Sequence, residues 1–122
     1  MSPRFLLDEN QRGPLWDALE RHNEHASAPI DAMLLGEVGT PPLGAIDSNV
    51  LVWCEAAGRV LVSNDKRTLP GHLADHLALG HHSPGVFLIR PGQSIRAVVE
   101  FLALACAASD AAEWGDAVTY IP

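Results

Sequence analysis

The chain has 122 residues, enough for one folded domain with its own core and too few for two, so residues 1–122 are expected to form a single domain. Eight Lys and Arg against fifteen Asp and Glu give a net charge of −7, which counts against a free-standing nucleic-acid-binding module, because phosphate contacts normally need a basic surface. The same charge is compatible with an enzyme that holds phosphates through bound divalent cations, each of which offsets two negative charges.

Three features of the sequence predict a soluble protein of the cytoplasm. Cys54 and Cys106 lie in apolar stretches, where a reduced thiol behaves as a small hydrophobe, and two cysteines are too few for a stapled secreted domain. The apolar run near the start, Phe5–Leu7, is too short for a signal peptide. The most apolar region, residues 97–108, is shorter than a membrane span and contains Glu100, so no membrane partner is expected.

Apolar runs bounded by Gly, Pro and polar residues predict strands and helices that alternate along the chain. The predicted strands, in chain order, cover residues 4–7, 29–35, 59–63, 86–89 and 117–121. The predicted helices between them cover residues 13–22, 49–57, 69–79 and 95–108. The segment 36–45 contains three glycines and two adjacent prolines and is therefore expected to be a loop.

Two of the predicted helices have recognisable caps. Ser94 precedes the helix over residues 95–108, and Asp47 or Ser48 is expected to cap the helix over residues 49–57, which Gly58 ends. The second of these helices has almost no polar face, so it is expected to be covered on most sides.

The predicted fold is a three-layer α/β/α arrangement with a mainly parallel central sheet. Strands alternate with helices, and the strands are continuously apolar instead of alternating apolar with polar residues, which indicates a parallel sheet that is buried on both faces. Sheets of this kind bind their ligands at the carboxyl ends of the strands.

Three aspartates follow or adjoin elements that can end at that edge. Asp8 directly follows the first strand, and Asp65 follows the strand over residues 59–63 by two positions. Neighbouring strands lie about 4.8 Å apart, so both carboxylates can share one cation if the strands pair. Asp47 adds a third carboxylate if its helix starts at the same edge, and hard cations such as Mg²⁺ or Mn²⁺ prefer oxygen ligands. The alternatives are local: Asp47 as a helix N-cap, Asp65 as a turn residue and Asp8 as a cap.

Four stretches of the sequence resemble the PIN-like family known as DUF5615, in the same order and over nearly the whole chain. The opening run Phe5-Leu6-Leu7-Asp8-Glu9-Asn10 resembles the family's first strand and its polar end. Residues 58–66, GRVLVSNDK, are similar to a later strand of the family and the acidic residue after it. Between them, residues 47–51 stand where the family has an Asp that opens a helix, and residues 84–90, PGVFLIR, resemble its next strand.

This resemblance implies a metal-dependent endoribonuclease with a PIN-like fold, Mg²⁺ or Mn²⁺ as cofactor and RNA as substrate. Members of the family are often described as toxin components, which implies a small antitoxin protein as partner. The positions that match the family's catalytic and metal-binding acids are Asp8, Asp47 and Asp65. The positions that are accessory by their place in the motifs are Glu9, Asn10 and Lys66.

The sequence departs from the family pattern at several positions, and two alternatives stay open. Ser48 and Asn49 replace acids that are common after the Asp47 position, and the family's fourth acid has only Glu37 as a loose counterpart. These differences favour a non-catalytic PIN-like module that binds a protein partner. A phospho-acceptor receiver domain is the third alternative, but it needs a later strand that ends in Lys, where this chain has Ile89 followed by Arg90.

Four histidines cluster in and after the third predicted helix. His72 and His76 are four residues apart, so their imidazoles share a helix face and can bind zinc, and His81 and His82 follow the helix. The Glu of an H-E-x-x-H motif is missing, because the helix reads HLADH at residues 72–76. A solvated histidine face on an acidic protein is the favoured interpretation.

In the helix over residues 95–108, Glu100 is the only charged residue between Arg96 and Asp110. An apolar surface of this kind is typical of interfaces, so it predicts a homodimer or binding to a partner. The alternative is that the helix is central to the core.

Overall fold

Five short strands form one sheet in the computed structural model, which describes residues 1–122. In chain order they are β1 (Phe5–Leu7), β2 (Ala32–Leu34), β3 (Val60–Ser63), β4 (Val86–Ile89) and β5 (Val118–Ile121). Their order across the sheet is β2-β1-β3-β4-β5, and every neighbouring pair is parallel. The predicted parallel sheet is confirmed, and each strand lies within its predicted range.

Four α-helices connect the strands. They are α1 (Pro14–His25), α2 (Asp47–Ala57), α3 (Leu69–Ala78) and α4 (Ile95–Ala108), with short 3-10 helices at Glu9–Gln11 and Ala111–Trp114. The four predicted helices are present, although α1 runs three residues beyond its predicted end and α2 begins two residues earlier than expected. No helix combines the length and the apolar character that crossing a bilayer requires.

The two faces of the sheet bury two separate apolar clusters, which gives the three layers that the sequence predicts. On one face, Phe5 and Leu7 of β1 pack with residues of α1 and α4 such as Leu19 and Leu102. On the other face, Leu6 of the same strand packs with residues of α2 and α3. Successive side chains of a strand point to opposite faces, so burial on both sides explains why the strands read as continuous apolar runs.

The surroundings of α2 differ from the expectation that the helix is covered on most sides. Val50, Leu51 and Cys54 are buried against the sheet, whereas the side of Val52 is open and that residue is 45% exposed. Neither Asp47 nor Ser48 caps the helix, because the N-cap position falls on Ile46, which has no side-chain hydrogen bond. In a three-layer fold each helix keeps one face toward solvent, so the apolar character of α2 does not mean complete burial.

The last helix, α4, belongs mainly to the core. Its predicted cap is confirmed, since the Ser94 hydroxyl oxygen accepts a 3.0 Å hydrogen bond from the amide of Ala97. Val98 and Leu102 are buried, while Leu104, at 62%, is the most exposed large apolar side chain of the helix. The predicted interface on this helix remains a prediction.

Candidate functional site

The connections of the chain leave a crevice at the carboxyl edge of the sheet between β1 and β3. From β1 the chain moves outward to β2 and then returns across β1 to β3, so the direction of the connections reverses at this pair. Open α/β sheets bind ligands at such a reversal. The amide of Asp8 extends the pairing of the two strands by donating a 3.0 Å hydrogen bond to the carbonyl of Val62, which fixes Asp8 at the edge of the crevice.

A cleft of about 80 Å³ opens at this edge, and its polar lining consists of oxygen-bearing side chains. These residues are Asp8, Glu9, Asn10, Asp47, Ser63 and Asp65. Apolar residues including Val50, Leu61 and Leu69 complete the lining, and no Lys or Arg contributes to it. The structure therefore brings the three predicted aspartates to one cleft together with Glu9 and Asn10, while Lys66 is exposed and lies outside the lining.

Asp8 is the most enclosed acid of the cleft. Burial raises the pKa of its carboxyl, and the side chains of Ser63 and Gln11 offset only part of that effect. The carboxylate also accepts a 3.1 Å hydrogen bond from the amide of Asn10, so it caps the short 3-10 helix as its position suggested. The side-chain nitrogen of Gln11 lowers this pKa but makes no hydrogen bond of good geometry and is buried without a partner. Buried polar groups without partners are uncommon, and an unpartnered amide donor marks a place where a water molecule fits.

Asp65 has the opposite electrostatic environment. The Thr68 hydroxyl donates to its carboxylate, and the amides of Thr68 and Arg67 donate at 3.1 and 3.2 Å. These hydrogen bonds, that of the Thr68 hydroxyl first, hold the pKa of Asp65 below its usual range. Asp65 therefore does fill the turn role that its sequence position offered, at the start of α3, in addition to lining the cleft.

Asp47 is the aspartate whose carboxylate has no capping role. It is the first residue of α2, and its Oδ2 atom lies 3.3 Å from Nε2 of His72 on α3. A negative charge in the first turn of a helix is favourable. Apart from the contact with His72, the carboxylate makes no hydrogen bond, so it is available to a ligand. His72 is thus a neighbour of the acidic cleft, which the sequence did not indicate.

Glu9 takes the position of a fourth acid in the cleft. Its Oε2 atom accepts a 3.3 Å hydrogen bond from the amide of Gly44, which ties the loop over residues 36–45 to the rim. Glu37, the loose counterpart suggested by the sequence, instead lies 3.8 Å from the guanidinium of Arg12 and does not line the cleft. Without the tertiary structure, Glu9 was recognisable only as a neighbour of Asp8.

The three aspartates share the cleft without forming a tight group. The one set of three or more acidic, histidine or cysteine side chains whose donor atoms all lie within 4.8 Å of one another is elsewhere, at Glu55, His76 and His81. A spread set of carboxylates fits Mg²⁺ or Mn²⁺, because Mg²⁺ usually keeps several waters and takes only one or two carboxylates directly. All donors in the lining are oxygens, which also favours a hard cation.

The histidines are arranged differently from the expected solvated face. His76 is only 4% exposed, and its Nε2 atom donates a 2.9 Å hydrogen bond to the carbonyl of His82. Its ring stacks on that of His81 with centroids 4.7 Å apart, and Nδ1 of His81 donates to Glu55 at 2.9 Å. The solvated interpretation is wrong for His76, and His72 and His76 do not share a site. Glu55 comes from α2, so only the packing of α2 against α3 reveals this cluster.

Comparison of the chain with protein-family models, with curated proteins and with solved structures gave no match. The resemblance to the PIN-like family therefore stays a prediction.

Proposed function

We propose that the protein is a Mg²⁺- or Mn²⁺-dependent endoribonuclease of the PIN-like type and that the acidic cleft is its active site. One observation carries the proposal: four carboxylates line a cleft at the reversal point of a parallel sheet, and no Lys or Arg lines it with them. The four residues are Asp8, Glu9, Asp47 and Asp65.

The electrostatics of the cleft support a cation there. Burial raises the pKa of the Asp8 carboxyl, and a bound divalent ion would stabilise its ionised form. The oxygen-only lining favours Mg²⁺ or Mn²⁺ over zinc or copper, which prefer nitrogen or sulfur ligands.

The three aspartates act together in the proposed reaction. A divalent ion bound in the cleft would supply a water of lowered pKa and would polarise the phosphate of the substrate. Asp8, Asp47 and Asp65 are the residues that would hold the ion. The expected products carry a 5′ phosphate and a 3′ hydroxyl.

Two basic residues lie beside the cleft, although the protein as a whole is acidic. Lys66 and Arg67 directly follow Asp65 and are exposed beside the cleft. Cationic side chains at this place can contact the phosphates on either side of the cleaved bond, and the net charge of the whole chain then matters less than the charge at the rim. Single-stranded RNA is the expected substrate, since a flexible strand can bring one phosphate into a small cleft.

The test is cleavage of single-stranded RNA by purified protein with Mg²⁺ or Mn²⁺, with and without a chelator. Asp47→Asn should lower the rate by at least about 100-fold, because it removes an ion ligand without removing a cap. Asp65→Asn should also abolish cleavage, because it removes an ion ligand. The amide still offers an acceptor to the turn, so the fold should be kept. The matched control is Asp75→Asn, an exposed acid of α3 that makes no side-chain hydrogen bond and should leave the rate unchanged. Activity that survives both chelation and Asp47→Asn would contradict the proposal.

The strand order favours one alternative of a different class. The order β2-β1-β3-β4-β5 is also that of flavodoxin-like sheets, which include phospho-acceptor receiver domains, and Asp65 follows the third strand. Against it, Arg90 and not Lys follows β4. Incubation with acetyl phosphate and Mg²⁺ separates the two functions. A phosphoryl adduct on the intact protein, lost in Asp65→Asn, would favour the receiver.

A toxin role adds a small antitoxin protein that blocks the cleft. Two exposed apolar residues, Leu43 and Ile46, flank Ala45 of the cleft lining and are 59% and 63% exposed. A protein inhibitor that covers the cleft can also bury the exposed apolar side chains beside it. Inhibition of RNA cleavage by the product of an adjacent reading frame, weakened by Ile46→Ser, is the expected result. A non-catalytic module would instead bind that partner and cleave no RNA.

A further inference from the structure

We infer that Glu55, His76 and His81 form a second metal site, separate from the acidic cleft, for a borderline divalent ion of which Zn²⁺ is the first choice. The three side chains come from three parts of the chain: α2, α3 and the segment between α3 and β4. Their donor atoms all lie within 4.8 Å of one another.

The distances are close to those that zinc needs. Zinc bonds to imidazole nitrogen and carboxylate oxygen of about 2.0–2.2 Å imply about 3.3–3.5 Å between ligand atoms in a tetrahedron. Oε1 of Glu55 lies 2.9 Å from Nδ1 of His81 and 3.6 Å from Nε2 of His76. The two imidazole rings are stacked with an interplanar angle of 14°, so one ring must rotate out of the stack for both nitrogens to face the same ion.

The donor chemistry selects a different class of ion from the one proposed for the cleft. Two imidazoles and one carboxylate suit Zn²⁺, Co²⁺ or Ni²⁺, whereas Mg²⁺ prefers oxygen donors and water. Two His and one Glu leave one coordination position open, which a water molecule fills in zinc sites of this composition.

Existing hydrogen bonds hold the ligands in position for the ion. The amide of His82 donates to Oε2 of Glu55 at 2.8 Å, which orients the carboxylate and leaves Oε1 toward the histidines. Contacts of this kind to the outer oxygen of a metal ligand raise affinity by fixing its orientation. To bind the ion, each neutral imidazole would carry its proton on its other ring nitrogen, which frees Nδ1 of His81 and Nε2 of His76 as ligands. The hydrogen bonds from these nitrogens to Glu55 and to the carbonyl of His82 would be given up in exchange for the metal bonds.

The location of the cluster makes its role structural. Glu55 lies eight residues beyond Asp47 on α2, which is about 12 Å along the helix axis and away from the carboxyl edge of the sheet. An ion there ties the ends of α2 and α3 to the segment that leads into β4. The inference is thus independent of RNA cleavage.

The test is calorimetric titration of metal-free protein with Zn²⁺, together with the visible spectrum of the Co²⁺ form. One zinc per chain is expected, and Glu55→Gln and His81→Ala should each weaken binding by at least about 10-fold and remove the tetrahedral Co²⁺ absorption. His25→Ala, at an exposed histidine of α1, and Asp47→Asn, in the acidic cleft, are the controls that should keep both signals. Saturating zinc should raise the melting temperature of the wild type by roughly 5–10 °C.

Three results would overturn the inference. Zinc binding that is equal in the wild type and in folded Glu55→Gln and His81→Ala would place the ion elsewhere. Loss of binding in Asp47→Asn alone would assign the zinc to the acidic cleft. Absence of stoichiometric binding in the wild type would leave the cluster a hydrogen-bonded clamp only. Circular dichroism of each variant establishes that it folds, and Glu55→Gln preserves the size of the side chain.

Discussion

The same pair of helices, α2 and α3, sets a carboxylate against an imidazole at two places. Near the carboxyl edge of the sheet Asp47 lies 3.3 Å from His72, and farther along the helices Glu55 lies 3.6 Å from His76. The first place is completed by strand ends that add carboxylates, and the second by a segment that adds His81. What the neighbouring elements contribute, and not the helix pair itself, decides between a site suited to a hard cation and one suited to zinc.

The two places also differ in how far their polar groups are satisfied. The Glu55 carboxylate accepts hydrogen bonds from His81 and from the amide of His82, the second of which is the largest cause that lowers its pKa. In the cleft, burial raises the pKa of Asp8 instead. The histidine cluster is therefore expected to stabilise the fold without an ion, whereas the acidic cleft is expected to cost stability until a cation binds.

The largest expected effect comes from removing the buried histidine. His76→Ala should lower the free energy of unfolding by about 2–3 kcal/mol, because it empties a buried site and leaves the carbonyl of His82 without its donor. Asp47→Asn should change the same quantity by less than about 0.5 kcal/mol, since its carboxylate caps nothing. Urea denaturation measures the free energy of unfolding of both variants. Equal losses in the two would contradict the claim that the histidine cluster stabilises the fold and the acidic cleft does not.

Removing the charge of Asp8 is expected to stabilise the metal-free protein by about 1 kcal/mol. The folded-state pKa is raised above the unfolded value, so the ionised carboxylate costs stability at pH 7, and that cost disappears as the pH falls through the raised pKa toward 3.8. Mg²⁺ should raise the melting temperature of the wild type and do little for Asp8→Asn. Thermal melts at pH 7 and pH 4, with and without Mg²⁺, test this. A neutral or destabilising Asp8→Asn with an unchanged Mg²⁺ response would indicate that Asp8 only caps the 3-10 helix.

Removing the Asp65 carboxylate should destabilise the protein, whereas removing the charge of Asp8 should stabilise it, and the change in stability should be of about the same or smaller size. Asp65→Ala is expected to lower the free energy of unfolding by about 1 kcal/mol, the usual value of a capping side chain. Asp65→Asn should lower it by less, because the amide still accepts hydrogen bonds. Its folded-state pKa is lowered, so the contribution is present above pH 4 and is lost as the pH falls through the lowered pKa. Urea titrations at pH 7 and pH 3 measure the difference. An Asp65→Ala variant as stable as the wild type would contradict the capping role.

The smallest effect concerns the ion pair next to the histidine cluster. The Asp116 carboxylate hydrogen-bonds to His82 and raises its pKa above 6.5, so the pair stabilises the fold below that pH and the contribution is lost as the pH rises through the raised value. Both groups are solvent-exposed, and the expected loss is about 1 °C in melting temperature between pH 6 and pH 8.5. His82→Gln should abolish this pH dependence, and a scan of the two proteins shows whether it does.

The parts that the sequence predicts are those with a local cause. A strand buried on both faces must be a continuous apolar run, so β1 and β3 were recognisable, and with them the edge positions of Asp8 and Asp65. Contacts between helices have no such local signal. The spacing of His72 and His76 placed them on one helix face, but the partners of each, Asp47 and Glu55, depend on how α2 lies against α3. For the same reason the sequence could not show that one side of α2 is open to solvent.

The most direct test of the account is calorimetric titration with Mn²⁺ of the wild type and of three variants that each remove one negative charge. Asp47→Asn should weaken Mn²⁺ binding by at least about 10-fold, while Glu55→Gln, in the histidine cluster, and Asp75→Asn, on the exposed side of α3, should bind as the wild type does. Equal Mn²⁺ affinity in Asp47→Asn and the wild type would contradict the central claim that the acidic cleft is a site for a hard divalent cation.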